Sequence, residues 1–181
     1  MKNAACYKLL AVMIVVTMMV VGFGRTVNAE KTKFAFISPN PIGANDILIM
    51  CKTGTEQAAA KHGAEAMILE ASDPESREKS MRTAIDEGAN IIIVLGWEFN
   101  DFLPQIAAKS PDVQFLIVDQ CMDDLPSNVR CAVFKEHEGA FLTGATAALL
   151  SESQHVGVIS ALDMPFFHRF SDSFAEGARY I

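Results

Sequence analysis

Two patterns of apolar and polar positions alternate along this chain, one typical of strands and one typical of helices. Short apolar runs typical of strands occur five times, at 33–38, 65–70, 91–95, 113–118 and 131–134. Between these runs, apolar residues recur at helical spacing. The third run, IIIVL, is apolar at every position, which indicates a strand covered on both faces. Strands of this kind alternating with helices predict an α/β fold built on a doubly wound parallel sheet.

Capping residues place the helices between these strands. Asn45 or Asp46 can cap the first helix, Asp73 with Pro74 the second, and Asn100 or Asp101 the third. Further helices are predicted over 138–151 and Pro165–Tyr180, with a sixth strand, HVGVIS, at 155–160. The apolar side of the first helix is predicted to consist of Ile47, Met50, Cys51, Gly54 and Ala58.

Residues 1–29 have the pattern of a cleavable signal peptide. Lys2 and Lys8 precede an uncharged apolar run, and Val27-Asn28-Ala29 offers small residues for cleavage after Ala29. The apolar run is short for a membrane span, so export to the periplasm is predicted. Cys6 precedes the run rather than following it, and a freely soluble rather than a lipid-anchored form is therefore expected.

Charge and motif content exclude several functions. The chain carries 15 basic and 22 acidic side chains, without a basic block, which argues against nucleic acid as a partner. The four histidines are far apart, so no metal site is predicted. The glycine patterns that hold nucleotide phosphates and the G-x-S-x-G nucleophile motif are absent, and neither a cofactor nor an enzymatic activity is predicted.

Two cysteines bracket a short polar loop. Cys121 and Cys131 enclose MDDLPSNVR, and in an oxidising compartment a disulfide between them would stabilise the fold by roughly 2–3 kcal/mol. The alternative is a pair of reduced cysteines at strand edges. Cys51 is left over and is most simply a small core residue.

Polar and aromatic side chains recur where predicted strands end. Ligands of open α/β sheets bind just beyond the carboxyl ends of the strands. Aromatic rings there can stack on a flat ligand, and carboxylates and amides can bond its polar edges. Helix capping and core packing are the competing roles. The candidate ligand-binding residues are Asn45, Asp46, Trp97, Phe99, Asn100, Asp119, Asp163 and Phe166.

Three segments resemble one known family. SPDVQFLIVDQ, NVRCAVFKEHEGAFLTGATAALL and HVGVISALDMPFFHRFSDSFAEGARYI are similar to the BMP (basic membrane protein) family of ABC-importer substrate-binding proteins, which includes purine-nucleoside receptors. The most specific pieces are VFKEHEG and D-M-P-x-x-x-R-F-x-x-x-F-x-x-G. The resemblance runs from about Lys33 to the end of the chain.

The resemblance implies a type I periplasmic-binding-protein fold, with two α/β lobes hinged around a ligand. On that template, residues 32–152 are the first lobe and 153–181 begin an incomplete second one, so that weak or no binding is expected of this chain alone. The family's Phe-Asn segment maps onto 43–48, which reads GANDIL and lacks that pair. The resemblance also implies that Asp119 and either Trp97 or Phe99 bind the ligand.

The resulting hypothesis is a periplasmic binding component of an ABC importer. Its ligand would be a nucleoside-like small molecule, and its partner an inner-membrane ABC permease. The alternative is a periplasmic sensing module for a signalling partner on the same fold. A nucleoside hydrolase would need clustered aspartates for calcium, and no DxxxDD follows the first strand.

Overall fold

The structure, a computed structural model, describes residues 31–181. The predicted signal peptide lies outside the described residues. Strands and helices alternate through most of this range. The five strands are β1 (Lys33–Ser38), β2 (Glu65–Glu70), β3 (Ile91–Leu95), β4 (Gln114–Val118) and β5 (Val129–Ala132). The five helices are α1 (Asp46–Lys61), α2 (Pro74–Asp86), α3 (Leu103–Lys109), α4 (Glu136–Leu150) and α5 (Pro165–Tyr180).

The five strands form one parallel sheet in the order β2-β1-β3-β4-β5. This confirms the predicted fold class. The direction in which strands are added reverses between β1 and β3, because β2 lies on one side of β1 and all later strands lie on the other. Such a switch point opens a crevice beyond the carboxyl ends of the two central strands. The topology therefore places a candidate site beside the residues that follow Ser38 and Leu95.

Both faces of the sheet carry apolar side chains. The larger core packs α2 and α3 against alternate residues of the central strands, such as Ile37, Ile92 and Ile117, all fully buried. A smaller core on the opposite face gathers Phe36 and Leu48 beneath α1. The predicted inward residues of α2 and α3 are confirmed: Met81, Ala84, Leu103, Ile106 and Ala107 are buried, and Ile85 packs against them.

The buried side of α1 differs from the prediction. Ile47 and Met50 are 57% and 64% exposed, whereas Leu48, Thr55 and Ala59 are buried. The hydroxyl of Thr55 donates to the carbonyl oxygen of Cys51 at 2.9 Å, which satisfies a polar side chain inside the core. A search for apolar residues alone passes over such a position. The predicted face is wrong at Ile47, Met50 and Gly54, whereas Cys51 packs against the smaller core as predicted.

Helix caps follow the sequence in two cases and depart from it in a third. Asn45 caps α1 by accepting hydrogen bonds from the amides of Ile47 and Leu48, and Asp73 caps α2 with a reciprocal Ser76 bond. A cap for α3 at Asn100 or Asp101 is wrong. A 3₁₀ turn, Trp97–Phe99, intervenes, and α3 begins later, after Phe102, without a side-chain cap.

The predicted sixth strand at 155–160 is also wrong. These residues are irregular and exposed, and Ile159 is fully exposed. A strand needs a neighbour for its backbone hydrogen bonds, and the described sheet ends at β5. The fifth strand was predicted at 131–134 but spans Val129–Ala132, and α4 begins two residues earlier than its predicted start at 138.

Helices α4 and α5 pack against each other. Gly144 and Gly177 are the buried residues of the two helices. A Cβ at Gly144 would collide with the backbone of Phe174, and a Cβ at Gly177 with the backbone of Phe141. The two helix backbones therefore touch at this crossing, and only glycine fits there.

One polar side chain anchors the segments around β4 and β5. The side-chain nitrogen of Asn128, Nδ2, donates to the carbonyl oxygens of Ala107, Ser110 and Val113, at 3.0 Å, 3.0 Å and 2.9 Å. Asn128 is 8% exposed. Its side chain therefore joins the end of α3 to the residue before β4, although the carbonyl oxygens of Ala107 and Ser110 also accept from the backbone amides of Ser110 and Val113 at 3.1 Å each.

Replacing Asn128 with alanine is expected to lower the free energy of unfolding by about 1–3 kcal/mol, because the hydrogen bonds of its side chain are lost, including a buried one to the carbonyl oxygen of Val113. Urea unfolding followed by circular dichroism measures the change. Alanine at the neighbouring exposed Ser127 serves as the control, with an expected effect within about 0.5 kcal/mol. Equal stability of the two variants would contradict the anchoring role.

Candidate functional site

A cleft of about 220 Å³ lies at the switch point of the sheet. Its walls come from five places in the chain. Pro39 and Asn40 follow β1, and the start of α1 adds Asn45, Ile47 and Leu48. The end of β3 and the turn after it contribute Leu95, Gly96, Trp97 and Glu98, while Asp119 follows β4 and Phe166 comes from α5. The cleft thus combines an apolar side, two aromatic rings and several amide and carboxylate groups.

The turn after β3 presents Trp97 to the cleft. Gly96 has φ 89°, a conformation that favours glycine, and its amide donates to the carbonyl oxygen of Val118 at 2.9 Å. A Cβ at Gly96 would collide with the carboxylate of Glu98, so this side chain folds back over the glycine. Trp97 is 39% exposed, which leaves its ring free to contact a ligand.

Asp119 occupies a strained position at the end of β4. Its φ of 63° lies in the left-handed region, which aspartate tolerates better than most residues. The Asp119 amide donates to the carbonyl oxygen of Ala132 at 2.8 Å, which continues the pairing with the strand next to it. Strained residues cluster at ligand sites, and this one lines the cleft.

The surroundings of Asp119 are acidic and partly buried. Burial raises the pKa of the Asp119 carboxyl, the nearby Glu136 raises it further, and Arg169 opposes both effects. Burial also raises the pKa of the Cys51 thiol, with a smaller contribution from Asp119. Asp119 therefore has no strong compensating charge, although α1, α4 and α5 all bring groups close to it.

An ion pair that is buried on its glutamate side connects the starts of α4 and α5. Arg169 Nε donates to Glu136 Oε1 at 2.6 Å, and the Glu136 side chain is only 7% exposed. Burial alone would raise the pKa of Glu136, but a hydrogen bond from its own backbone and the Arg169 contact lower it overall. The guanidinium carbon of Arg169 also lies 5.2 Å from the centre of the Phe166 ring. The pair thus fixes the ring that lines the cleft.

The structure brings together four of the predicted site residues. Asn45, Trp97, Asp119 and Phe166 line the cleft. The Asn45 side chain also caps α1 through its oxygen, at 3.0 Å from Ile47 N and 3.3 Å from Leu48 N. The capping and cleft-lining roles predicted as alternatives for Asn45 therefore occur together.

The other four predicted residues lie elsewhere. Phe99 is fully buried in the larger core, where its ring meets Phe102 edge-on at 5.7 Å, so a stacking role for it is wrong. Asp163 is exposed and accepts a hydrogen bond from His168 at 2.6 Å instead of lining the cleft. Asp46 is the exposed first residue of α1 and does not line the cleft either.

Asn100 lines a second cavity, of about 510 Å³, which shares Trp97 and Glu98 with the cleft. Its Oδ1 atom is buried and has no hydrogen-bond partner among the described residues. Arg77 lines the same cavity, and its Nε donates to the carbonyl oxygen of Pro39 at 2.8 Å. Arg77 thereby holds the loop after β1, which forms part of the cleft wall.

Sequence reasoning missed Glu98, Glu136 and Arg169. The last two stand within the VFKEHEG and P-x-x-x-R-F motifs, but no spacing in the sequence indicates that they pair. Glu98 lies between Trp97 and Phe99, and only the two aromatic residues were predicted as ligand contacts there. Among residues 31–181, no three histidine, cysteine or acidic side chains group to hold a metal ion. In the same range, no helix is long and apolar enough to cross a membrane.

Cys121 and Cys131 are joined by a disulfide, with their Cα atoms 5.4 Å apart. The bond closes the loop between β4 and β5, directly after Asp119 and Gln120. Cys51 is free and half-buried against the smaller core. The disulfide therefore restrains the chain next to one wall of the cleft.

Comparison with known proteins identifies the family. The family model for Bmp, described as ABC transporter substrate-binding protein PnrA-like, matches residues 31–181. The chain belongs to this family. Basic membrane protein A of Borreliella burgdorferi is 29% identical over 116 residues, which cover 63% of this chain and 34% of that protein. The ABC transporter nucleoside-binding protein BmpA of Lactococcus lactis is 27% identical over 99 residues, 55% of this chain and 28% of that protein.

A solved structure has the same fold as this chain. An ABC transporter solute-binding protein from Aeropyrum pernix K1 aligns with a TM-score of 0.69 at 19% identity, over 82% of this chain and 43% of that one. The likeness shows a periplasmic-binding-protein fold. The chain spans about a third of the length of the curated relatives and under half of this structure.

Proposed function

We propose that this chain is the ligand-binding component of an ABC importer, acting in the periplasm on a nucleoside-like small molecule. The observation that carries the proposal is the cleft at the switch point of the sheet, with Trp97 and Phe166 beside Asn45 and Asp119. Two aromatic rings can contact a flat base, and amide and carboxylate groups can bond its edges and sugar hydroxyls. Family membership and the name of the Lactococcus lactis relative support the same ligand class.

The partner in this proposal is an inner-membrane ABC permease. A ligand that touches both sides of a hinged cleft shifts the protein towards a closed form, and the permease would recognise that form. In this scheme Trp97 and Asp119 belong to the lobe built on the sheet, whereas Phe166 belongs to the second lobe. The ligand would then bridge the lobes through contacts that the open form cannot make.

The packing of α4 suggests where the lobes divide. Because α4 packs closely on α5 through Gly144 and Gly177, the two helices are expected to move as one body. We therefore place the hinge at the exposed residues Val133, Phe134 and Lys135, between β5 and α4. The predicted boundary after residue 152 would instead separate two helices whose backbones touch.

Titration with guanosine and adenosine, followed by Trp97 fluorescence, tests the proposed function. Trp97 is the chain's only tryptophan, so a change in emission reports on the cleft directly. Saturable quenching is expected, at the weak end of the range predicted from the sequence. Asp119→Asn is expected to reduce the affinity at least tenfold further, since one hydrogen bond to a charged group contributes roughly 1.5–3 kcal/mol.

The matched control is Asp112→Asn, which removes an exposed carboxylate at the other end of β4. It is expected to bind as the unchanged chain does. Emission that stays constant with both nucleosides, or equal losses in the two aspartate variants, would contradict the proposed function.

A further inference from the structure

The charged side chains that line the cleft are both acidic. Among the described residues, Glu98 and Asp119 line it, and no lysine or arginine does. Neither carboxylate has an ion-pair partner in this part of the chain. Uncompensated carboxylates beside a partly enclosed cleft attract cations and repel anions. The cleft is therefore electrostatically suited to a ligand with positive charge.

The nearest cation does not cancel this charge. Arg169 is hydrogen-bonded to Glu136 at 2.6 Å, so the two together contribute little net charge near the cleft. The first turn of α1 offers no free anion site either, because the Asn45 side chain already accepts from the amides of Ile47 and Leu48. Two of the amides at the N-terminus of that helix are thus already satisfied.

The aromatic rings suit the same type of ligand. The faces of tryptophan and phenylalanine carry negative charge density and attract cations, tryptophan most strongly. Trp97 is 39% exposed, and Phe166 already holds the Arg169 guanidinium 5.2 Å from its ring centre. A neutral base would gain stacking from these rings, whereas a positively charged base would gain stacking and cation–π attraction together.

We infer that the ligand of this cleft is a ring-bearing organic cation, of which an N-methylated purine nucleoside is the form compatible with the proposed function. The inference rests on that function for the site and adds the charge of the ligand. In the complex, the charged ring lies against Trp97, and its positive charge is balanced by Asp119 and Glu98. The polar edge of the ring bonds to the same carboxylates.

The surroundings of Asp119 add a pH dependence. Burial and Glu136 raise the pKa of this carboxyl, while Arg169 lowers it. The Cys51 thiol lies near it, and Glu98 lines the same cleft. Acidification protonates Asp119 at a higher pH than usual and removes its charge. Affinity for a cation is therefore expected to fall on acidification earlier than an ordinary aspartate would cause.

The test compares adenosine with 1-methyladenosine, which differ by one methyl group and one positive charge at neutral pH. Trp97 fluorescence of the 181-residue chain is titrated with each. 1-Methyladenosine is expected to bind roughly tenfold more tightly, the effect of a cation–π contact and an unpaired carboxylate. Asp119→Asn and Glu98→Gln are each expected to reduce this ratio, whereas Glu65→Gln, an exposed carboxylate at the far end of the sheet, leaves it unchanged.

The outcomes separate the two proposals. Equal affinity for the two nucleosides overturns the inference of a cation and leaves the proposed nucleoside site intact. Saturable quenching by N-methylpyridinium, as distinct from the linear quenching that collisions cause, without binding of either nucleoside, supports the cation and contradicts the nucleoside part of the proposed function. A ratio that survives in both carboxylate variants overturns the assignment of Asp119 and Glu98, and silence with all three probes overturns both proposals.

Discussion

Replacing Phe99 with alanine is expected to lower the free energy of unfolding by about 3–5 kcal/mol. The Phe99 ring is fully buried in the larger core, beside Leu103 and edge-on to Phe102 at 5.7 Å. Truncation leaves a cavity between the 3₁₀ turn and the sheet and removes the aromatic pair. Urea unfolding followed by circular dichroism measures the loss.

Phe134→Ala is the matched control, because Phe134 is 63% exposed and loses little on truncation. An effect within about 0.5 kcal/mol is expected there. Trp97→Leu provides the complementary comparison, since it removes the proposed stacking surface from a half-exposed position with a small cost in stability. A Phe99→Ala variant as stable as the unchanged chain, but defective in ligand binding, would restore the stacking role that its burial contradicts.

Trp97 and Phe99 were predicted as alternative stacking residues, and the different places they occupy have a simple geometric origin. Both aromatic residues lie within four positions of the end of β3, and their sequence does not show which side of the turn each will occupy. The turn is set by Gly96 at φ 89° and by the 3₁₀ geometry that follows, which direct Trp97 to the cleft and Phe99 inward. Positive φ at the glycine could be suspected from sequence, but the resulting directions of the side chains could not.

Sequence patterns predicted the sheet more accurately than its surroundings. The first four strands have strong apolar runs and a helix on at least one side, so local pattern and tertiary packing agree there. Residues 155–160 have a comparable run, HVGVIS, but no neighbouring strand in the described range, and they remain irregular. A strand forms only where a neighbouring strand accepts its backbone hydrogen bonds, and the sequence of one segment does not show whether such a neighbour exists.

The candidate site was predictable in part for the same reason. Asn45, Trp97 and Asp119 each follow or face the carboxyl end of a strand, so the parallel topology alone brings them together. The ion pair between Glu136 and Arg169 joins positions 33 residues apart, and opposite charge at that separation gives no spacing signal. Only the packing of α4 on α5 brings these two side chains within hydrogen-bonding distance.

Replacing Gly144 with alanine is expected to separate α4 from α5. The added Cβ would collide with the backbone of Phe174, and a collision with backbone cannot be relieved by rotating a side chain. Overpacking of this kind costs about 1–3 kcal/mol or more, which exceeds the gain of about 1 kcal/mol from alanine's higher helix propensity. The loss is expected in the helix pair, because the sheet has its own cores on both faces.

Hydrogen exchange measured peptide by peptide localises the effect. In Gly144→Ala, amides of α4 and α5 are expected to exchange faster while those of the central strands keep their protection. Gly139→Ala is the matched control on the same helix, because no atom lies within 4 Å of a Cβ placed there. That variant should gain about 0.5–1 kcal/mol from helix propensity alone. Faster exchange in the sheet as well would mean that the helix pair and the sheet unfold together, and the hinge proposed between β5 and α4 would then lose its physical basis.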